Sequence, residues 1–373
     1  MKTKRIAALL LCGALLTTGL TGCDSVKKDA VVATLDGKDI TLGVANFAAR
    51  FTQAKYDDFY VAYFGEDVWS SDLYNSGSTT QDSLKENVIK TVEDLYILQN
   101  HMEDYGVSLT DDETAAIKEA AETFMSDNTK DALDQLGATE EIVEEYLTLN
   151  TIQSKMYDAI VADADTNVSD EDANMRGYSY VEIPNQSHTD DSGQSVDYTD
   201  DEKALLEKSS EALAEACKED FDGAITNAGY TVSTGTYAKD DDKLPDAVVA
   251  ALDNLKEGEV SDLVTAESSY YILRLDTDCD EEATETHRQE IIKQRQQDLY
   301  DSVLSGWEDD AKWELKEKVW ATVQFDNLFT TKVDDTETAE PTEAATQTEQ
   351  ATESATEGTE TVNEGTETTE ALE

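Results

Sequence analysis

The sequence predicts an α+β protein in which a mostly helical unit, built from both ends of the chain, surrounds an inserted β-α-α-β-α-β-β domain. Apolar residues recur at helical spacing on both sides of the middle of the chain, whereas short alternating segments cluster between residues 178 and 275. Two further alternating segments, residues 31–35 and 321–325, predict a strand pair that closes the helical unit.

The first 22 residues have the layout of a signal peptide. Three basic residues precede a mostly apolar run over residues 6–19, and residues 20–23 (LTGC) resemble the lipobox of bacterial lipoproteins. The thiol of Cys23 would carry a diacylglycerol, whose two acyl chains are enough for stable anchoring. We therefore expect the chain to contact the membrane through this lipid, on the extracytoplasmic face of the bacterial cell membrane. An ordinary secretory signal with a chance cysteine is the alternative.

Acidic residues dominate the composition. The chain has 83 acidic and 28 basic residues, so its formal net charge is −55, and it becomes about −58 when the three basic residues of the signal are removed. Such a chain is repelled by phosphates, which excludes nucleic acid as a partner. Residues 331–373 are rich in Thr and Glu and predict a disordered tail, while residues 23–30 predict a short tether.

Residues 31–167 are predicted to form a helical domain that opens with a small hairpin. Residues 31–35 and 38–41 have the character of strands, and Asp36-Gly37 between them is a typical two-residue hairpin turn. Residues 108–113 mark a helix start with acidic residues in the first turn.

The pattern changes over residues 168–278, which we assign to the inserted domain. Its predicted elements are, in order, residues 178–183, 202–217, 221–228, 230–237, 245–252, 260–265 and 270–275. A long helix with apolar positions from Ile292 to Leu315, followed by the strand over 321–325, completes the helical unit within residues 279–330. That strand is expected to pair with residues 31–35.

The order of these segments resembles the extracytoplasmic foldases of the PrsA and SurA type. In that family a helical chaperone domain surrounds a parvulin, or PPIC-type, peptidyl-prolyl isomerase domain. The stretches that carry the resemblance are residues 31–41, 105–113, 136–141, 168–172, 255–264 and 268–275. The resemblance implies a folding factor that binds unfolded or newly secreted polypeptides and needs no cofactor or metal. It leaves a homodimer open.

The resemblance also implies a prolyl pocket, and the sequence departs from the family there. Parvulins usually carry a histidine on the first and on the last strand, where this chain has Tyr178, Tyr180 and Tyr271. The Met and Phe of the family's pocket correspond most nearly to Leu244 and Val248. Rotation of a prolyl bond forms no covalent intermediate and depends on an apolar pocket that binds the twisted amide. We therefore expect weak or lost isomerase activity.

Two other functions stay open at this point. One is an active isomerase in which tyrosine hydroxyls replace the histidines, and the other is a solute-binding lipoprotein. Three aromatic residues, Phe51, Phe59 and Phe64, together with the tryptophans of the last helix, could form a surface for unfolded clients, although core packing is the expectation for residues at helical spacing. Whether Cys217 and Cys279 pair is not decided by the sequence.

Overall fold

The structure is a computed structural model that describes residues 15–17, 27–73, 75–189, 192–239 and 243–331. Cys23 and the predicted tail from residue 332 onward lie outside these residues. Within the described part of the chain, no helix combines the length and the apolar character that crossing a bilayer requires.

The first half of the chain is helical after a short hairpin. Its strands are β1 (Leu15–Thr17), β2 (Val31–Leu35) and β3 (Lys38–Thr41), and its helices are α1 (Leu42–Phe64), α2 (Thr80–Asn100), α3 (Asp111–Asp127), α4 (Lys130–Leu136) and α5 (Glu140–Val161). At α3, the side chain of Thr110 accepts from the backbone of Glu113 while Glu113 accepts from the backbone of Thr110, a capping box at the predicted helix start. Asp36 and Gly37 both have positive φ, as the β2–β3 hairpin turn requires.

The second half begins with the inserted sheet. Its elements are α6 (Asp170–Ala173), β4 (Met175–Pro184), β5 (Ser187–Thr189), β6 (Ser195–Asp197), α7 (Asp200–Cys217), α8 (Phe221–Asn227), β7 (Ser233–Ala238), α9 (Asp246–Asn254), β8 (Val264–Thr265) and β9 (Ser269–Thr277). The antiparallel order is β7-β4-β9-β8, and β5 pairs with β6 in a hairpin that the sequence did not predict. The two α/β lobes of a solute-binding protein are not found among the described residues.

Helices cover both faces of this sheet. Helix α9 packs on one face, where Val248 and Leu252 join the apolar side chains of β4 and β9. Helices α7 and α8 pack on the other face through Ala214, Phe221 and Ile225. Because side chains alternate along a strand, each face of β4 belongs to a separate hydrophobic cluster.

The chain then returns to the helical part through α10 (Glu281–Asp310), β10 (Trp313–Leu315), α11 (Glu317–Trp320) and β11 (Phe329–Thr331). Strand β10 pairs antiparallel with β2. The predicted pairing of residues 321–325 with β2 is therefore wrong, and the long helix ends at Asp310 instead of continuing to Leu315. Trp313 and Leu315 alternate as well, and pairing with β2 packs them, partly buried, against the core of the helical part.

Residues 321–325 form a turn and loop because side chains of α2 hold their backbone. Lys85 Nζ donates to the carbonyl oxygen of Val323 at 2.8 Å, and Gln81 Oε1 accepts from the backbone N–H of Phe325 at 2.6 Å. The side chains of Val323 and Phe325 are buried. Alternating burial, which resembles a strand in sequence, here arises from a loop laid over the core.

Buried polar residues of α1 hold the chain just before β11. The Arg50 guanidinium donates to the carbonyl oxygens of Gln324 at 2.9 Å and Asn327 at 3.2 Å, and Gln53 Nε2 donates to Asn327 at 3.0 Å. Burial lowers the pKa of Arg50 to about 10, with the charge of Asp57 opposing that shift. These bonds fix the last described loop to the helix.

Asp57 completes the same network and is fully buried. Its carboxylate accepts from the backbone N–H of Phe329 at 2.7 Å, from Trp69 Nε1 at 2.6 Å and from Gln53 Nε2 at 3.1 Å. Burial raises the pKa of Asp57, while these donors and the charge of Arg50 lower it. Strand β11 is thus attached to α1 by a buried carboxylate.

An ion-pair cluster links α2 to α10. Lys90 Nζ contacts Asp94 on its own helix and Glu308 on α10, the latter at 2.8 Å. Burial raises the pKa of Asp94 to about 7; the Lys90 ammonium opposes this shift and the Glu308 carboxylate adds to it. The cluster therefore holds a carboxyl group that titrates near neutral pH.

Candidate functional site

The five predicted pocket residues lie on or beside one face of the four-stranded sheet. Tyr178 and Tyr180 are two positions apart on β4 and so point to the same side. Tyr271 is on the neighbouring strand β9, Val248 is on α9, and Leu244 lies just before α9. All five belong to one hydrophobic cluster. We call this surface the tyrosine face.

The five residues differ in depth. Tyr178 and Val248 are buried, with 6% and 1% of their surfaces exposed. Tyr180, Leu244 and Tyr271 are half-buried at the edge of the cluster. The ring centroids of Tyr178 and Tyr180 are 5.5 Å apart, and those of Tyr180 and Tyr271 are 6.3 Å apart. The tyrosine face thus has a filled floor and an accessible rim.

The rim includes a tyrosine that lies beside a carboxylate. Tyr271 lies directly opposite Glu182 in the β4–β9 ladder, and the Glu182 carboxylate accepts from Ser269 Oγ at 2.8 Å. Burial and this carboxylate raise the pKa of Tyr271 to about 12. The hydroxyl therefore stays protonated at neutral pH.

A fourth tyrosine, Tyr237, was missed by the sequence analysis and is fully buried under the same face. Its hydroxyl accepts from Arg176 Nη1 at 2.5 Å and donates to Asp253 Oδ1 at 3.2 Å. Arg176 also donates to the carbonyl oxygens of Leu252 and Leu255, both at 3.0 Å, and so fixes the end of α9. The one available signal was that this tyrosine ends an alternating segment.

The neighbouring strand β7 makes room for the floor with a glycine. Gly235 lies opposite Tyr178, and a Cβ atom built on Gly235 would be 2.9 Å from the tyrosine ring. The ring of Tyr178 thus occupies the space that a side chain on β7 would take. To bind as deeply as the ring of Tyr178, a prolyl ring would have to displace that ring.

The three histidines lie away from the tyrosine face. His188 stacks on Tyr198 beside the β5–β6 hairpin at 4.8 Å between ring centroids, and His101 stacks on Trp307 at 4.2 Å. His287, on α10, has its Nδ1 3.2 Å from the carbonyl oxygen of Ala173. No described residue therefore supplies an imidazole to the predicted pocket.

Metal-ligand clusters and free thiols are two further kinds of site that the described residues could contain. Among those residues, no group of three His, Cys, Asp or Glu side chains is arranged to hold a metal ion. Cys217 is buried on α7, Cys279 is exposed, and both are free thiols. Burial raises the pKa of Cys217, which makes its thiol less reactive.

An exposed aromatic surface lies at the end of α1, on the helical part. Phe59, Tyr63 and Phe64 are 54%, 73% and 52% exposed. We call these three residues the aromatic patch. The rings of Phe59 and Tyr63 are 4.6 Å apart, and Tyr60 lies between the patch and the core. Phe51, which was considered with this group, is instead buried in the core.

The tryptophans of the C-terminal part do not add to the patch. Trp320 is buried, and Trp307 and Trp313 pack partly buried against the same hydrophobic cluster. The structure therefore confirms for Trp320 the core packing that its spacing predicts.

Comparison with known proteins gives a consistent result. Residues 189–278 match the family model described as the PPIC-type PPIase domain. The foldase protein PrsA of Clostridium acetobutylicum is 23% identical over 348 residues, which cover 84% of this chain and 98% of that protein. The match to the family model includes Leu244, Val248 and Tyr271, whereas β4 with Tyr178 and Tyr180 precedes it.

Solved structures of related foldases are also similar. PrsA from Bacillus cereus is 21% identical, with 64% of this chain and 89% of that chain covered and a TM-score of 0.32. PrsA from Streptococcus pneumoniae is 18% identical, with 65% and 94% covered and a TM-score of 0.28.

The protein thus carries a PPIC-type PPIase domain inside a larger mixed helical and stranded chain. It is a homologue of the PrsA foldases, and the resemblance predicted from the sequence is confirmed.

Proposed function

We propose that this protein is a membrane-anchored, extracytoplasmic folding factor that binds secreted polypeptides, and that its PPIC-type domain has weak or lost isomerase activity. The aromatic patch carries the first half of the proposal. Large aromatic side chains that are more than half exposed mark a surface for apolar partners. Phe59, Tyr63 and Phe64 form such a surface, and exposed apolar segments are what unfolded chains present.

The tyrosine face supports the second half of the proposal. Catalysis of prolyl rotation needs a pocket that binds the twisted amide more tightly than the planar one. Here the floor is filled by Tyr178 and Val248, and the Glu182 carboxylate opposite Tyr271 already accepts from Ser269. A client proline can therefore lie on the rim, but it finds no deep pocket there.

The arrangement of the chain is part of the same proposal. Residues 31–167 and 279–330 would form one chaperone unit, with the PPIC-type domain inserted at residues 168–278. The pairing of β10 with β2 and the attachment of β11 to α1 support this division. A homodimer remains a prediction, which sedimentation of the purified chain would measure.

Aggregation suppression tests client binding. The chain from Asp24 onward is mixed in equimolar amount with an unfolded client, and light scattering is followed as the client is diluted from denaturant. We expect suppression, which is lost when Phe59, Tyr63 and Phe64 are all replaced by serine. Leu205, exposed at 69% on α7, offers a matched control, and Leu205→Ser should leave suppression unchanged. Equal suppression by the triple variant would contradict the proposal.

An active isomerase is the second candidate, because residues 189–278 match the PPIC-type family and the rim of the tyrosine face is accessible. The test is cis–trans isomerisation of a proline-containing peptide by the same chain. Our proposal expects a rate at the uncatalysed background. A higher rate that falls on Tyr271→Phe or Leu244→Ala would favour the second candidate.

The anchor is proposed from sequence alone. If Cys23 is lipidated, cells grown with a labelled fatty acid should yield a labelled protein in the membrane fraction. The variant Cys23→Ala should lose the label and leave the membrane. A labelled Cys23→Ala variant would contradict the assignment.

A further inference from the structure

Strand β1 belongs to the predicted signal peptide, yet it is built into the helical part. It pairs antiparallel with β11, with Leu15 opposite Thr331, Leu16 opposite Thr330 and Thr17 opposite Phe329. Removal of residues 1–22 would take β1 away. Among the described residues, β1 is the single strand partner of β11, so removal of β1 would leave β11 unpaired.

The other side of β1 is held by the turn between α3 and α4. The backbone N–H of Leu15 donates to Asn128 Oδ1 at 2.7 Å, and its carbonyl oxygen accepts from Thr129 Oγ1 at 3.3 Å. Asn128 is itself buried, and its Nδ2 donates to the carbonyl oxygen of Phe124 at 2.8 Å, which orients the amide toward Leu15. These contacts recognise backbone atoms, which every polypeptide has.

The directions of the backbone N–H and C=O groups determine which residue of β1 hydrogen-bonds with which residue of β11. The N–H of Phe329 points to Asp57, and the groups of Leu15 point to Asn128 and Thr129. Because these groups alternate in direction along a strand, Leu16 and Thr330 are the residues whose N–H and C=O face each other. The segment is thus bound through its backbone on both sides.

The side chain of Leu15 fills an apolar site. It is fully buried in a cluster that includes Phe47, Phe51, Phe124 and Phe329. Without β1 this site would lose an aliphatic side chain, and the amide oxygen of Asn128 and the edge of β11 would lose their partners. Together these groups make a groove for an extended segment, which we call the β11 groove.

We infer that, once the signal peptide is removed, the β11 groove binds an extended apolar segment of a client polypeptide as an added strand, antiparallel to β11. The inference rests on the proposed client-binding function and adds to it a defined binding mode. The occupant is an unfolded chain with a leucine-like side chain at the buried position, since Leu15 is the residue that the structure seats there. In the precursor the chain's own segment blocks this groove.

Peptide binding tests the inference directly. The probe is a fluorescent peptide with the sequence of residues 13–18 (GALLTT), and its anisotropy is measured against the chain from Asp24 onward. We expect saturable binding that is lost when the peptide carries aspartate at the position of Leu15. The chain from Met1 should bind at least about tenfold more weakly, because its own β1 fills the groove. Equal binding by both chains would overturn the inference.

A pair of proline variants gives the matched control. Thr330→Pro removes the N–H that faces Leu16, so binding should weaken about fivefold or more, the usual worth of one hydrogen bond. Thr331→Pro makes the same change one residue later, where the N–H points away from the groove, and should leave binding unchanged. Asn128→Ala should weaken binding by a similar factor. Identical binding by both proline variants would overturn the strand-addition mode.

The two proposals can fail separately. If the chain suppresses aggregation but does not bind the peptide, the β11 groove is refuted and the proposed function stands. If the peptide binds with the expected pattern of variants but no client is protected, the groove stands as a peptide site and the proposed function fails.

Discussion

Replacing Asp57 with alanine tests whether a buried carboxylate holds the C-terminal segment on α1. The change leaves two buried donors without their acceptor, namely the N–H of Phe329 and Trp69 Nε1, and it leaves Gln53 Nε2 with only the carbonyl oxygen of Asn327. It also removes the negative charge that faces Arg50. Each unpaired buried donor costs about 1–3 kcal/mol, and the buried Arg50 guanidinium also loses the stabilising charge of Asp57. Since water can enter the space and satisfy some donors, we expect a loss of about 3–5 kcal/mol in the free energy of unfolding.

Urea unfolding followed by tryptophan fluorescence measures this loss where it occurs. All four tryptophans lie outside residues 168–278, so the signal reports on the helical part and not on the PPIC-type domain. Glu119→Ala, at an exposed position on α3, is the matched control and should change the free energy by no more than about 0.5 kcal/mol. A loss of less than about 1 kcal/mol for Asp57→Ala would refute the role given to the network.

Three further predictions follow from the packing and the charges. The folded pKa of Asp94 is about 7 and lies above the ordinary value, so the folded state holds a proton that the unfolded state releases, and stability falls as pH rises from about 4 to about 7. Asp94→Asn should flatten this decline in urea midpoints measured across that range, and an unchanged slope would contradict the assignment. Gly235→Ala should destabilise the sheet by about 1–3 kcal/mol, because the added methyl group overpacks against Tyr178. Gly306→Ala should instead stabilise the protein by about 0.5–1 kcal/mol, because this helical glycine in α10 has open space around it. The two variants should therefore shift the melting temperature in opposite directions, and shifts in the same direction would contradict the prediction. In the native protein, a thiol reagent should label Cys279 quickly and Cys217 only on unfolding, as mass spectrometry would record, and equal labelling would show that Cys217 is accessible.

Local signals in the sequence predicted the elements well. The capping box at Thr110 and Glu113 and the turn at Asp36-Gly37 depend on residues within a few positions of each other, so the chain itself specifies them. The strands and helices of residues 168–278 were also predicted in their order, because alternation and helical spacing are likewise local. Of the elements in those residues, the short helix α6 and the β5–β6 hairpin were missed.

Long-range pairings were harder to predict. Residues 313–315 and residues 321–325 both alternate, and only the contacts of α2 with the second segment decide which of them pairs with β2. The polar side chains of Arg50 and Asp57 resemble a solvated helix face in sequence, yet both are buried because a segment more than 250 residues away covers them. Pairing across such distances depends on tertiary packing, which periodicity does not report.

The candidate site shows the same division. The five predicted pocket positions do come together on the tyrosine face, since strand alternation sets which side chains share a face. Their depth was not predictable, because it depends on Tyr237 and Gly235 of the neighbouring strand. The seat of β1 against β11 was also missed, since a signal peptide is set aside before the fold is considered.

Refolding of a client whose slow phase is a prolyl isomerisation tests the central claim most directly. Such a phase takes tens to hundreds of seconds without catalysis, so its rate and its final yield can be measured in one experiment. With the chain from Asp24 onward at equimolar dose, we expect the yield of folded client to rise while the rate of the slow phase stays unchanged. The increase in yield should disappear when Phe59, Tyr63 and Phe64 are replaced by serine. An accelerated slow phase that is lost on Tyr271→Phe, with no increase in yield, would contradict the account.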